Sequence, residues 1–155
     1  MHKSVTGFAV LIAATAMSYS VVTGGVFGLR AALAASSEAA NPSYPVQTSS
    51  AGGVTIKITP TNLAGNASSW EFAIVLDTHS QELSDDLVKS SLMLDGAGGK
   101  QLPIAWDAAA GGSAGGHHRE GVLRFKPVSP RPQSIELQIT RTGENGPRSF
   151  RWQLK

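Results

Sequence analysis

Three of the four histidines could carry chemistry: His79 in "LDTHS", and the adjacent His117 and His118 in "GGHHREGVLRF". Imidazole suits copper, zinc and nickel, and it changes charge close to neutral pH. Asp77 stands two residues before His79, so on a strand the two side chains share one face with Cα atoms about 7 Å apart. A carboxylate and an imidazole so placed can share a divalent metal, or the carboxylate can orient the ring. Three histidines and one aspartate match the ligand preferences of copper(II) or zinc(II). The candidate metal set is therefore Asp77, His79, His117 and His118, with copper or zinc as the only cofactor indicated. A structural reading competes with it. Asp77, Thr78 and Ser80 can supply turn hydrogen bonds, His117 can plug the end of a core, and Arg119 can pair with Glu120 or Asp107.

Strand phase constrains the paired histidines. With Leu123 and Phe125 facing inward, His117 and Arg119 share the inward phase, while His118 and Glu120 face out. Two adjacent histidines cannot both reach one metal from a straight strand. The irregular backbone permitted by the glycines of 111–116 would be needed to bring them together.

Catalytic signatures are missing. There is no G-x-S-x-G elbow, and "HHRE" is not the H-E-x-x-H zinc helix. The absence of cysteine excludes thiolate metal sites and a thiol nucleophile. "GAGG" and "GGSAGG" lack the Lys-Ser/Thr that completes a phosphate loop. Asp85 and Asp86 read as a solvated helix start rather than as a general acid and base. These features point to a protein that is not an enzyme. Trp70, Trp106 and Trp152 fall in phase with apolar neighbours and read as core, not as a carbohydrate-stacking row.

The elements that must position these residues follow from periodicity. Residues 1–35 form an apolar leader: Lys3 precedes a run from Gly7 to Val22, and Ala32-Leu33-Ala34 suits a signal peptidase. Fifteen or so apolar residues favour a signal peptide over a spanning anchor, which needs about 20. The expected location is periplasmic or secreted, with membrane attachment only through an uncleaved leader. Without Lys3 and Arg30 the 13 basic residues become 11, equal to the 11 acidic ones. That balance argues against nucleic acid as a partner. Residues 36–53, polar and small with two prolines, read as a flexible spacer.

From Val54 the period is two. Seven alternating segments follow, centred on Val54–Ile58, Trp70–Leu76, Leu92–Leu94, Leu102–Trp106, Leu123–Phe125, Ile135–Ile139 and Phe150–Leu154. Ser84 ahead of Asp85 and Asp86 reads as the N-cap of a helical turn or two. An all-β, immunoglobulin-like antiparallel sandwich of about seven strands over residues 54–155 is expected.

The ordered segments "WEFAIVLDTHS", "LPIAWDAAAGGSAGGHHREGVLRF" and "PRPQSIELQI" resemble a family of small, exported bacterial sandwich domains of uncharacterised function. Its members carry D-T-H-S and G-G-H-H-R segments at similar spacing. The resemblance spans Val54–Leu154 and implies a sandwich fold without an assigned activity. More loosely, Asp77-Thr78-His79 is similar to the Asp-x-His element of periplasmic copper-carrier sandwiches, in which an N-terminal histidine completes the copper(II) site. Here that element lies on an early strand, and processing would leave Ala35 or Ser36 at the mature start. The functional expectation is an exported, non-enzymatic binding module that takes a transition metal at strand ends. The alternative is a structural or protein-interaction domain of the cell envelope with no metal.

Overall fold

The computed structural model describes residues 43–110 and 115–155. The leader expected over residues 1–35 and the first part of the spacer lie outside the described residues, as do residues 111–114 of the glycine stretch. Among the described residues nine strands and one helical turn follow one another: β1 (Gln47–Ala51), β2 (Val54–Asn62), β3 (Trp70–Thr78), α1 (Leu87–Ser90), β4 (Ser91–Asp95), β5 (Lys100–Gln101), β6 (Ala105–Ala108), β7 (His118–Phe125), β8 (Ser134–Ile139) and β9 (Arg148–Gln153). They form two antiparallel sheets, ordered β1-β2-β3-β7-β6 and β5-β4-β8-β9.

Alternation decides which side of each strand is buried. Val54, Ile56 and Ile58 of β2, Trp70, Phe72, Ile74 and Leu76 of β3, and Leu123 and Phe125 of β7 are buried from the first sheet. Met93, Ile135, Leu137, Ile139, Phe150 and Trp152 meet them from the second. Phe72 joins the layers directly, with its ring 5.6 Å from that of Trp152 and edge-on to Phe125 at 5.7 Å. The three tryptophans sit as their phase predicts: Trp70 and Trp152 are buried, and Trp106 packs partly buried against the core.

The spacer reading ends too late. Gln47–Ala51 is a strand, paired from Gln47↔Ile58 to Ala51↔Val54, and Tyr44 already belongs to the core. An edge strand with one solvated face can be polar, so "QTSSA" has no apolar alternation to reveal it. Its signal is the turn. Gly52 and Gly53 both take positive φ, 53° and 77°, as a two-residue hairpin loop demands.

The Leu102–Trp106 segment also departs from expectation. It is not one strand with three inward residues. The chain leaves the second sheet after β5 and joins the first at β6, and Pro103 turns inward at the crossing. That inversion leaves Leu102 60% and Ile104 50% exposed. The N-cap is Asp86 rather than Ser84: its carboxylate accepts from Val88 N at 3.1 Å and Lys89 N at 3.4 Å, and α1 is a single turn.

The two sides of the sandwich are finished differently. Where β1 and β9 lie at the sheet edges, side chains close the gap. Arg148 donates to the carbonyls of Ser49 (3.0 Å), Ala51 (2.6 Å) and Val54 (2.8 Å) while pairing with Glu144 at 2.8 Å. The Gln47 amide mimics a peptide group against Arg151, donating to its carbonyl and accepting its N–H at 3.2 Å. Trp152 adds a bond to Pro45 O at 2.8 Å. On the opposite side the edge strands, β5 and β6, are only two and four residues long.

Candidate functional site

The pairing of β3 with β7 gathers the residues singled out by sequence. Asp77 lies directly across from His118, and the Thr78 N–H donates to the His117 carbonyl at 2.9 Å. His79, one residue further, therefore leaves β3 at the same end where His117 and His118 enter β7. Asp77, His79, His117 and His118 are all exposed.

Within this group the geometry is specific. His118 Nδ1 lies 2.6 Å from Asp77 Oδ1, and its Nε2 lies 3.6 Å from Glu120 Oε2. The hydrogen bond to Asp77 holds the imidazole pKa above its ordinary 6.5, aided by the negative charges of Asp77 and Glu120. Asp77 thus takes one ring nitrogen, and Glu120, a residue absent from the sequence-derived set, faces the other. Among the described residues no three His, Asp or Glu side chains gather in a form that would hold a metal ion. Asp77 stands here as the ring's orienting partner.

His117 is exposed and does not plug the core, because the regular strand begins only at His118. The inward position that follows is filled by Arg119, 7% exposed. Its guanidinium bonds neither Glu120 nor Asp107. It donates to the carbonyls of Leu83 (3.2 Å) and Asp85 (2.5 Å) and lies 5.4 Å from the Trp106 ring centre. Asp107 pairs instead with Arg124 Nε, at 2.5 Å. Gly121 explains the glycine inside "HHREGVLRF". A Cβ there would meet the Asp107 carbonyl oxygen at 2.4 Å and the Trp106 ring at 2.7 Å, so only glycine lets the indole lie across the strand.

Thr78 organises the turn beyond β3. It is buried, and its hydroxyl donates to Gly53 O at 2.8 Å while accepting from the N–H groups of Ser80 and Gln81. Asp85 is not a solvated carboxylate. Arg141 Nε bonds it at 2.9 Å, and Thr142 donates both its N–H (3.2 Å) and its hydroxyl (2.9 Å). Desolvation would raise its pKa, but the Thr142 and Arg141 contacts together hold it below the usual carboxylate value. Arg119, Arg141 and Arg148 are all buried. They brace the loops at this part of the sandwich through carbonyls and carboxylates. Sequence reasoning missed this set because, Glu144 apart, the acceptors lie far away along the chain, from Leu83 and Asp85 for Arg119 and Arg141 to Ser49, Ala51 and Val54 for Arg148.

The Asp77–His118 pair sets a pH dependence. Because the folded-state pKa is raised, its contribution to stability is complete below about pH 6.5 and fades as pH rises through the folded value. Titration of the imidazole followed by NMR should give a His118 midpoint above 6.5, and Asp77→Asn should lower it. A wild-type midpoint at or below 6.5 would show that the pair does not form in solution.

No protein-family model matches this sequence, and no curated protein and no solved structure matches it.

Proposed function

We propose that the chain is an exported, non-catalytic module with an immunoglobulin-like sandwich, which binds a protein partner of the cell envelope through its β5–β6 side. The observation that carries this reading is the difference in how the two sides use their edge strands. Arg148 and Gln47 spend their hydrogen bonds on the backbone of β1, β2 and β9, a device that blocks edge pairing, and a single large aliphatic, Val46, is exposed there, at 52%. Among the described residues the other side has no such arginine seal and presents two, Leu102 and Ile104, on either side of Pro103, 60% and 50% exposed. Two large aliphatic side chains held in water beside short edge strands suit burial against an extended segment of another protein. The leader pattern of residues 1–35 supports an envelope or extracellular location for that partner.

Site-specific photo-crosslinking in cells tests the proposal. A photoreactive residue at position 102 or 104 should yield a discrete protein adduct, while one at Gln153 on the sealed side should not. Equal labelling from both sides, or none from either, would remove the interaction reading.

A second reading retains copper(II) or zinc(II). It is favoured by Asp77, which occupies His118 Nδ1 and leaves Nε2 directed toward Glu120 Oε2 at 3.6 Å, with His79 and His117 on the adjoining backbone. Orientation of a ligand imidazole by a carboxylate is common in metal sites. Calorimetric titration with each ion separates the readings. A one-equivalent, saturable heat that is lost in His118→Ala would favour the metal module.

A further inference from the structure

The turn between β8 and β9 holds a reactive step that needs no partner molecule but water. Asn145 and Gly146 lie there, both exposed, and Asn145 is the single asparagine of the sequence that a glycine follows. Asparagine is thermolabile because the backbone nitrogen of the next residue can attack its side-chain amide carbon. That attack needs a free amide, a free N–H and an open approach. Neither the Asn145 amide nor the Gly146 N–H has a hydrogen-bond partner among the described residues. A Cβ on Gly146 would meet nothing within 4 Å, so the nitrogen lies beside open space. The feet of the turn are fixed: Glu144 N donates to Arg141 O at 3.2 Å, and Arg148 Nε donates to the Glu144 carboxylate at 2.8 Å. The comparable step Asp95-Gly96 is locked throughout. Asp95 Oδ1 accepts from Ala97 N at 2.9 Å and Gly99 N at 2.7 Å, and Gly96 N donates to Ser134 O at 3.1 Å.

We infer that Asn145-Gly146 is a site of spontaneous hydrolytic modification in the folded protein. Gly146 N loses its proton and bonds to Asn145 Cγ; the Cγ–Nδ2 bond breaks and ammonia leaves. Water then opens the resulting cyclic imide at either carbonyl, giving aspartate or isoaspartate. The balance is a water consumed and an ammonia released, with no change of oxidation state. Either product adds a negative charge beside Glu144. Isoaspartate also inserts a methylene into the main chain between Glu144 and Arg148, whose pairing is set for the present spacing and which together hold the Ser49 and Ala51 carbonyls of β1. The isoaspartyl chain is therefore a less stable form of the domain.

The test incubates the full-length protein at mildly alkaline pH, folded and in denaturing urea, and maps its tryptic fragments by mass spectrometry. Fragment 142–148 should convert in the folded protein within tenfold of its rate in urea, while Asp95 in fragment 90–100 stays unmodified in the folded protein. Asn145→Gln and Gly146→Ala should each slow conversion at least tenfold. The open space at Gly146 accepts the alanine methyl, and unchanged melting would verify folding. The isoaspartyl fraction, isolated by ion exchange, should unfold at lower urea than the parent. No conversion, folded-state conversion more than tenfold slower than in urea, or undiminished conversion in both variants would overturn the site. Isoaspartate at 95 in the folded protein would show that the hydrogen bonds do not select between the two steps. An unchanged urea midpoint would remove the effect on the Arg148 brace.

Discussion

Arg148→Ala is expected to destabilise the domain by about 3–5 kcal/mol, the cost typical of breaking a buried ion pair from one side. The guanidinium is 5% exposed at its side chain and serves three carbonyls and the Glu144 carboxylate at once. Its removal leaves those oxygens partly buried without donors and leaves Glu144, 15% exposed, without its main counter-charge. The carboxyl of Glu144 is held below its usual range chiefly by the hydrogen bond from Arg148, so the part of the loss that comes from this pair should be full at neutral pH and shrink as the solution is acidified. The sign follows from linkage. A lowered carboxylate pKa contributes stability above the unfolded value, and that contribution disappears as pH falls through the folded one. Arg148→Lys should recover only part of the loss, because an ammonium cannot reproduce the planar fork that reaches all these acceptors. Urea melts at neutral pH measure the effect. A loss below about 1 kcal/mol for the alanine variant would mean that water replaces the arginine and that the β1–β9 side is not sealed as described.

Trp70→Ala should cost a similar amount, about 3–5 kcal/mol, for a different reason. Trp70 is fully buried at the start of β3, its indole N–H donates to Ala64 O at 3.0 Å, and the Arg131 guanidinium lies 5.7 Å from the ring centre. Truncation leaves a cavity among large neighbours that cannot collapse around it. Trp70→Phe retains most of the apolar volume and loses the hydrogen bond, so about 1–2 kcal/mol is expected. If Trp70→Ala melts within 1 kcal/mol of the parent, the core placement of this residue is wrong.

Much of this architecture is legible in the sequence. Val54–Ile58, Trp70–Leu76, Ile135–Ile139 and Phe150–Trp152 alternate cleanly because each strand buries one face, and the pattern records that face directly. The exposure of Asp77 and His118 and the inward phase of Arg119 follow from the same period of two. β1 escaped because an edge strand with a solvated face needs no apolar residues; only the Gly52-Gly53 pair marked it. The alternation of Leu102, Ile104 and Trp106 predicts one inward face, but alternation does not reveal where a chain changes sheets, and the crossing inverts the phase at Pro103.

Composition and periodicity alone therefore determined the all-β class, the principal strands, most of the core, and the segments that carry the histidines. Those properties are local: each depends on a residue and its neighbours two places away. Tertiary structure decided everything that depends on long-range register. The alignment of Asp77 with His118 gave the ring a carboxylate partner 41 residues away. The fold also gave Arg148 acceptors 94 to 99 residues distant, and left Leu102 and Ile104 exposed beside the short edge strands β5 and β6. Pairings of that kind arise from how two sheets close on a shared core, and no spacing along the chain encodes them.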